Sequence, residues 1–373
     1  MHEKTAKTTS SYDESLTRRA IDLAEAGRGR VSPSPLVGCV VVSNDGEIVG
    51  EGAYIFSEVT HAEIYALNEA GERARGGTAY VSLEPHAHHG RTPPCTEALI
   101  KAGIKRVVCP MEDPNPLVSG KGFQELESAG IEVVRGILKD VAEKQNEKFI
   151  CWHRNRRPFV HLKSAMSVDG RVATKTGDSK WITSASARQY GQQLRYEYDA
   201  ILVGADTVRA DDPALTDRTG KPRDRDLLRV VLDSSLRTDP GSRVVSTAPE
   251  HPTLFVAGSE GESKAEEIRG SGAEVAVIQG GPRNVSVVLD ELYTRQITSV
   301  IVEGGPSVAG SFVESGLVDK FTFFLAPKII GGEAAPAAIG GEGPSALTEA
   351  IGLRDMTFEL VGPDLMITAY PSE

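Results

Sequence analysis

Short apolar runs alternate with segments of helical period along almost the whole chain, and this alternation constrains the fold more than any other feature. Leu36–Val42 is a nearly continuous apolar run, Asn44-Asp45-Gly46 turns the chain, and Glu47–Tyr54 returns as a second strand. Before them, Leu16, Ala20, Ile21, Leu23 and Ala24 recur at helical spacing, so residues 14–28 are expected to form an amphipathic helix. Helix His61–Ala70, strand Ala79–Leu83, helix Thr96–Ala102, strand Arg106–Pro110, helix Gly122–Ala129 and strand Glu132–Arg135 follow. Strands and helices of these lengths, taken in turn, predict an α/β layered fold.

The alternation is interrupted once. Residues Cys151–Pro158 are basic, with Arg154, Arg156 and Arg157, and end in a proline directly before the apolar strand Phe159–Leu162. A domain boundary is expected at about 147–158, dividing the chain into 1–150 and 151–373. A length of 373 residues suits two domains. The second block alternates again, with strands expected at Ala200–Gly204, Leu228–Asp233, Thr253–Val256, Glu274–Ile278, Ser299–Glu303, Lys320–Leu325, Thr357–Val361 and Asp364–Tyr370. Its helices are expected at Ala185–Tyr198, Lys264–Arg269, Val285–Arg295 and Ser307–Glu314.

Charge and cysteine usage narrow the function. The net charge of −11 is spread evenly over both halves, which argues against a nucleic-acid partner. No run reaches the ~18 apolar residues of a membrane span, and Met1–Tyr12 is polar with no signal-peptide core, so a cytoplasmic protein without a membrane partner is expected. Four cysteines are too few for a disulfide scaffold; one that matters is expected to be a metal ligand or a nucleophile.

Three pieces of the first block carry chemistry. His61-Ala62-Glu63 opens a helix, Pro85-His86 follows a strand, and Pro93-Pro94-Cys95 precedes another helix. Hydrolysis of an amidine-like C–NH₂ needs three protein ligands on zinc, an open position for water, and a carboxylate that moves the proton without binding the metal. His61 as ligand, Glu63 as proton shuttle and Cys95 as a thiolate at a helix start fit that need, and the order is that of zinc nucleobase deaminases. Either piece alone is commonplace on a helix surface or in a loop. Their conjunction gives the pattern its weight.

With Leu83-Glu84-Pro85-His86-Ala87-His88-His89-Gly90-Arg91-Thr92-Pro93-Pro94-Cys95 and Glu112-Asp113-Pro114-Asn115-Pro116, the block resembles the deaminase domain of the bifunctional RibD family of riboflavin biosynthesis. The resemblance implies a cytidine-deaminase-like three-layer domain with zinc held by His61, His86 and Cys95 and with Glu63 catalytic. His86 and Ala87 stand where the family has cysteine and serine; imidazole is a good zinc ligand, and His88 and His89 are alternatives to it. Ser34, in Ser32-Pro33-Ser34-Pro35, replaces the family's asparagine. The resemblance also places Ser34, His88, Arg91, Asp113 and Asn115 around the pyrimidine substrate, Arg91 as a phosphate partner.

The second block has no Gly-x-Gly-x-x-Gly between strand and helix, so a Rossmann site is not expected. Val302-Glu303-Gly304-Gly305-Pro306-Ser307 is instead a strand ending in a glycine turn before a helix. With Lys163-Ser164-Ala165-Met166-Ser167-Val168-Asp169-Gly170, Gly177-Asp178-Ser179-Lys180-Trp181-Ile182-Thr183, Gly204-Ala205-Asp206-Thr207-Val208, Asp211-Asp212-Pro213-Ala214-Leu215-Thr216 and Ala326-Pro327-Lys328, it resembles the family's reductase domain, whose fold is like dihydrofolate reductase. The resemblance implies NADPH as cofactor, with Ala165, Trp181, Thr207, Ser234, Gly305, Pro306, Ser307, Val308, Ala309, Gly310 and Ser311 around it. It implies Ser179, Arg195, Asp211, Leu215, Arg218 and Glu303 around substrate. Arg195 and Arg218 are expected to grip a phosphate, and Glu303 and Asp211 to orient ribose hydroxyls or assist proton transfer.

The expected function is a two-step one: zinc-dependent hydrolytic deamination of a diaminopyrimidinone ribosylamino phosphate, then NADPH-dependent reduction of its ribosyl group to ribityl. A homo-oligomer is expected. Three other readings stay in view: a reductase with a decayed deaminase domain, a nucleic-acid base deaminase or binding module, and a non-catalytic scaffold.

Overall fold

The computed structural model describes residues 2–90 and 92–372, with side chains described from Ser11 onward. The chain divides into two compact units, Met1–Arg156 and Arg157–Glu373. The stretch expected to be a linker is largely helical: Glu147–Asn155 carries His153 and Arg154 in its last turn, where cations suit the helix C-terminus. That helix stays with the first unit, so the division falls after Arg156, within the expected 147–158 and six residues past 150.

The first unit runs α1 (His2–Ala24), β1 (Gly38–Val42), β2 (Ile48–Ala53), α2 (Ala62–Ala70), β3 (Thr78–Val81), α3 (Cys95–Ala102), β4 (Arg106–Cys109), α4 (Lys121–Ser128), β5 (Glu132–Arg135), α5 (Lys139–Gln145) and α6 (Glu147–Asn155). The sheet order is β2-β1-β3-β4-β5, with β1 antiparallel to its two neighbours and β3, β4 and β5 parallel. Side chains of a strand alternate between faces, and the core follows that period. Cys39, Val41, Ala79, Val81 and Val107 pack with Ala62, Ala66 and Leu99 of α2 and α3. Val40, Val42, Tyr80 and Val108 pack with Leu16 and Ala20 of α1. Three layers result.

Glycine seats α2 on the sheet. A Cβ on Gly50 would lie 2.0 Å from the carbonyl oxygen of Ala66, and one on Gly52 would lie 2.2 Å from that of Ala62. Helix and strand therefore meet backbone to backbone, and the start of α2 is fixed over β2.

The second unit runs β6 (Phe159–Ser167), α7 (Ala185–Glu197), β7 (Ala200–Gly204), α8 (Ala205–Asp211), β8 (Leu228–Leu232), α9 (Arg243–Ser246), β9 (Thr253–Ala257), α10 (Ala265–Gly270), β10 (Glu274–Val277), α11 (Val285–Thr294), β11 (Ser299–Val302), α12 (Pro306–Glu314), β12 (Lys320–Ala326), β13 (Leu353–Val361) and β14 (Asp364–Pro371). Its sheet order is β10-β9-β8-β7-β11-β6-β12-β14-β13. The strands from β10 to β12 in this order are parallel, while β14 and β13 close the edge antiparallel. Strand β6 extends past the expected Leu162 to Ser167; Lys163 and Ser164 break the apolar run there, and residues 163–166 are half-buried. Parallel strands place their C-terminal ends, and the loops that follow them, on one side of the sheet, where α/β proteins build ligand sites. Among the described residues no helix is long and apolar enough to cross a membrane.

Candidate active sites

In the first unit, His61 is the N-cap residue of α2 and Glu63 lies in its first turn. Cys95 is the first residue of α3, after Pro94. His86 comes from the loop after β3. One ligand atom from each of His61, His86 and Cys95 lies within 4.8 Å of the others. His61 Nδ1 is 3.4 Å from Cys95 Sγ, and its Nε2 is 3.2 Å from Thr92 Oγ1. With the proton on Nε2 and Thr92 accepting it, Nδ1 turns a lone pair toward the thiol. Burial, with His61 and His88 adding to it, pushes His86 down to about 4, so its imidazole is neutral at pH 7, the metal-binding form.

These donors fit zinc. Burial, and the Glu63 carboxylate beside it, push the Cys95 thiol well above its ordinary range, so thiolate at this position calls for a cation. Glu63 is buried and its Oε2 has no hydrogen-bond partner. A buried carboxylate oxygen left without a donor, beside three convergent ligands, suits a group that receives a proton from water at the metal. His89 is turned away and pairs with Glu97 at 3.3 Å, and His88 stands outside the convergent three, so the alternative ligands give way to His86.

A pocket of about 310 Å³ opens on these residues, lined among others by Ser34, His61, Glu63, His86, His88, Asp113 and Asn115. Arg91 lies outside the described residues. The sequence reading missed the aromatic wall of Tyr54, Phe56, Phe149, Trp152 and His153. Its signal was the i, i+3, i+4 spacing of Phe149, Trp152 and His153 on α6. Also missed was Glu84, whose carboxylate accepts from the backbone N–H groups of Asp113, Gly120, Gly122 and Phe123 at 2.9–3.3 Å. It ties the loop carrying Asp113 to α4.

Burial pushes the Asp113 carboxyl up to about 7; the Asn115 N–H opposes this and the Glu84 charge adds to it. The folded chain thus holds a proton that the unfolded chain, with a carboxyl near ~3.9, releases. The folded state is favoured by this group at low pH and loses that advantage as pH rises from about 4 to about 7. Asp113→Asn, which keeps the acceptor for Asn115, is expected to be more stable than the parent at pH 8 by roughly 2–4 kcal/mol and level with it near pH 4. Thermal unfolding across that range measures it.

In the second unit, Glu303 directly follows β11 and meets Arg195 of α7 in a two-bond pair, Nε–Oε1 3.0 Å and Nη2–Oε2 2.9 Å. Arg195 Nη1 donates to the Thr216 carbonyl at 3.2 Å, and Lys163 Nζ is 3.8 Å from Glu303. Burial alone would raise the Glu303 carboxyl, but Arg195 and Lys163 hold it at about 2. Arg195 spends three of its five N–H groups on Glu303 and Thr216, so a phosphate would meet a guanidinium that is already paired. Glu303 is a fixed carboxylate, placed to accept hydrogen bonds. Lys163 was missed, although it opens a motif already noted.

Arg218 is exposed, and its backbone N–H and Nε reach Gln192 Oε1 at 3.1 and 3.4 Å, one helical turn from Arg195. Asp211 ends α8 and lies 3.6 Å from Lys180, next to Ser179. Leu215 is buried, with a left-handed φ of 52° that bends the loop after α8.

A cleft of about 290 Å³ at the C-terminal ends of the parallel strands is lined by Thr207, Ser234, Gly305, Pro306, Ser307, Val308 and Ser311. Ala309 and Gly310 do not line it. Ala309 packs in the core, and a Cβ on Gly310 would sit 2.3 Å from the Gly340 carbonyl. A helix of 3.6 residues per turn cannot turn seven consecutive residues to one cleft. Ala165 of β6 packs beside Ala187, Phe324 and Met366, and Trp181 is 64% exposed with the Arg188 guanidinium 4.5 Å from its ring centroid; neither lines this cleft.

Residues 10–111 match the cytidine and deoxycytidylate deaminase zinc-binding region, and residues 158–367 match the RibD C-terminal domain. The riboflavin biosynthesis protein RibD of Actinobacillus pleuropneumoniae is 44% identical over 95% of this chain and 94% of its own length. The chain belongs to the RibD family. Acinetobacter baumannii RibD superposes with a TM-score of 0.87 at 34% identity, covering 98% of this chain and 100% of that one. A Thermotoga maritima diaminohydroxyphosphoribosylaminopyrimidine deaminase/5-amino-6-(5-phosphoribosylamino)uracil reductase gives 0.86 at 35%, with the same coverage. As a RibD-family protein the chain is a bifunctional deaminase and reductase of riboflavin biosynthesis, with a cytidine-deaminase-like first unit and a dihydrofolate-reductase-like second. The deaminase takes zinc and the reductase NADPH. The matched zinc-binding region spans all three convergent ligands.

Proposed function

We propose that the first unit hydrolyses the 2-amino group of 2,5-diamino-6-(5-phosphoribosylamino)pyrimidin-4(3H)-one to a carbonyl, releasing ammonia, and that the second reduces the ribosyl group of the product to ribityl. The convergence of His61, His86 and Cys95 beside the Glu63 carboxylate, whose Oε2 has no hydrogen-bond partner, carries the first half of this reading. Zinc, held by those three, supplies Lewis acidity to the hydrolysis. Glu63 takes the proton of the attacking water at Oε2 and passes it to the departing nitrogen. Asp113, Asn115, His88 and Ser34 hold the pyrimidine edge, and the aromatic wall from α6 keeps bulk water out. In the second unit NADPH would supply the hydride. The acceptor is C1′ of the sugar as its open-chain imine, in which the C1′–O4′ bond has broken and O4′ carries a proton. The imine nitrogen takes up a proton from solvent as C1′ is reduced. The Glu303 carboxylate, fixed by Arg195 and Lys163, accepts from ribose hydroxyls, and the exposed Arg218 takes the phosphate. A coupled assay that follows ammonia and NADPH separately on the diamino substrate tests both halves. NADPH oxidation only with pre-deaminated substrate would favour a decayed deaminase unit.

We further infer a homo-oligomer in the cytoplasm. Edge strand β13 exposes Met356, Phe358 and Leu360, 44%, 63% and 74% accessible, at the two-residue spacing of one strand face. An unpaired apolar edge of this kind is covered by a second copy. Phe358→Glu is expected to shift the sedimenting species to monomer; an unchanged mass would place the contact elsewhere. Four free, buried cysteines suit a reducing compartment.

A further inference from the structure

The reductase cleft contains two arginines that the cofactor residues read from the sequence did not include. Arg237 follows β8 and Arg283 precedes α11, and both line the cleft with Thr207, Ser234 and the start of α12. Neither guanidinium has an ion-pair or hydrogen-bond partner among the described residues. Other arginines of this unit are engaged: Arg195 with Glu303, Arg223 with Asp217, and Arg229 with Thr253 and neighbouring carbonyls. Arg237 and Arg283 are both exposed to solvent in the cleft, so an anion bound there would meet two cations whose N–H groups are not committed elsewhere.

Two carboxylates also line the cleft, Asp206 and Asp233, and each has a partner of its own. Asp206 pairs with Arg209. Asp233, the residue after β8, is buried, and its Oδ2 accepts from both the N–H and the hydroxyl of Thr238 at 2.7 Å. A carboxylate near that position is what an unphosphorylated dinucleotide uses to hold its adenosine diol, and what repels a 2′-phosphate. Here that carboxylate is already engaged.

The strand order gives the direction of the dinucleotide. Glu303 directly follows β11, next to β6, while Arg237 and Arg283 follow β8 and β10 on the far side of β7. A dinucleotide with its nicotinamide toward Glu303 and its pyrophosphate at the N-terminus of α12 carries its adenosine toward β8. We propose that Arg237 and Arg283 grip the 2′-phosphate of NADPH and so set the preference for it over NADH. The proposal rests on the placement of NADPH in this cleft.

Calorimetric titration of the full-length chain with NADPH, NADH, adenosine 2′-monophosphate and adenosine 5′-monophosphate tests it. The unsubstituted chain is expected to bind NADPH at least about 100-fold more tightly than NADH, the gain of two charge-assisted contacts. Arg237→Ala and Arg283→Ala are each expected to weaken NADPH about 10-fold or more while NADH binds as before, which also shows that the cleft is folded. The 2′-monophosphate is expected to follow NADPH through the variants, and its binding to weaken below about pH 6 as the phosphate gains a proton. Equal losses for NADPH and NADH would move the arginines to the pyrophosphate and overturn the proposal, as would no loss at all. Failure of the unsubstituted chain to bind either dinucleotide would instead remove the placement of NADPH, and the proposal with it.

Discussion

Ammonia release from the diamino substrate falls about 10²–10⁴-fold in a Glu63→Gln chain, while NADPH oxidation on deaminated substrate is unchanged. The amide keeps the size and the position in the first turn of α2 but cannot receive a proton from water. The effect is expected in kcat more than in KM, because Glu63 sits beside the ligands and its unpartnered Oε2 is placed for proton movement. Undiminished ammonia release would give the proton to another group. A parallel loss of NADPH oxidation would mean that the substitution harms the fold, and circular dichroism with a reductase assay separates that outcome from a chemical one.

The second large effect is on metal content. His86→Ala leaves two of the three convergent donors, too few for a closed catalytic site that keeps one position for water. Zinc per chain is expected to fall from about one to near zero after dialysis, and deaminase activity with it. His86→Cys restores three donors and is expected to retain zinc with a second thiolate. Substitution with cobalt reads the ligand change in the thiolate-to-metal absorption, independently of turnover. Retention of zinc by His86→Ala would show that His88 or a solvent oxygen completes the site.

Much of the architecture was legible because both blocks obey simple periods. The even and odd residues of Leu36–Val42 and Ala79–Leu83 divide between two helical layers, and apolar strands at β7, β8 and β11 stand out without help. Helix α6 was not legible. Its basic last turn reads as a linker, and only the packing of Phe149 into the core beside Ile21 and Met111 reveals its place. His61 and Cys95 stand out in the sequence because their residue types and order are informative, whereas His86, which converges on them, is separated from His88 and His89 only by the family resemblance. The state of Arg195 does not stand out, because nothing local shows that Glu303, more than 100 positions away, takes its donors. The seven-residue run Gly305–Ser311 was over-read for the opposite reason: a linear motif hides which residues a helix turns inward.

The contact of α2 with Gly50 and Gly52 creates an asymmetry in what this unit can vary. The carboxylate that moves the proton and one metal ligand take their aim from a helix resting on bare backbone, with no side chain between that a compensating substitution could resize. The wall facing them is made of side chains such as Phe56 and Trp152, which come from outside α2. The floor of the site is therefore closed to gradual change and its wall is open to it. New amine substrates are reached by altering what faces the ring, while the geometry of water attack is inherited whole.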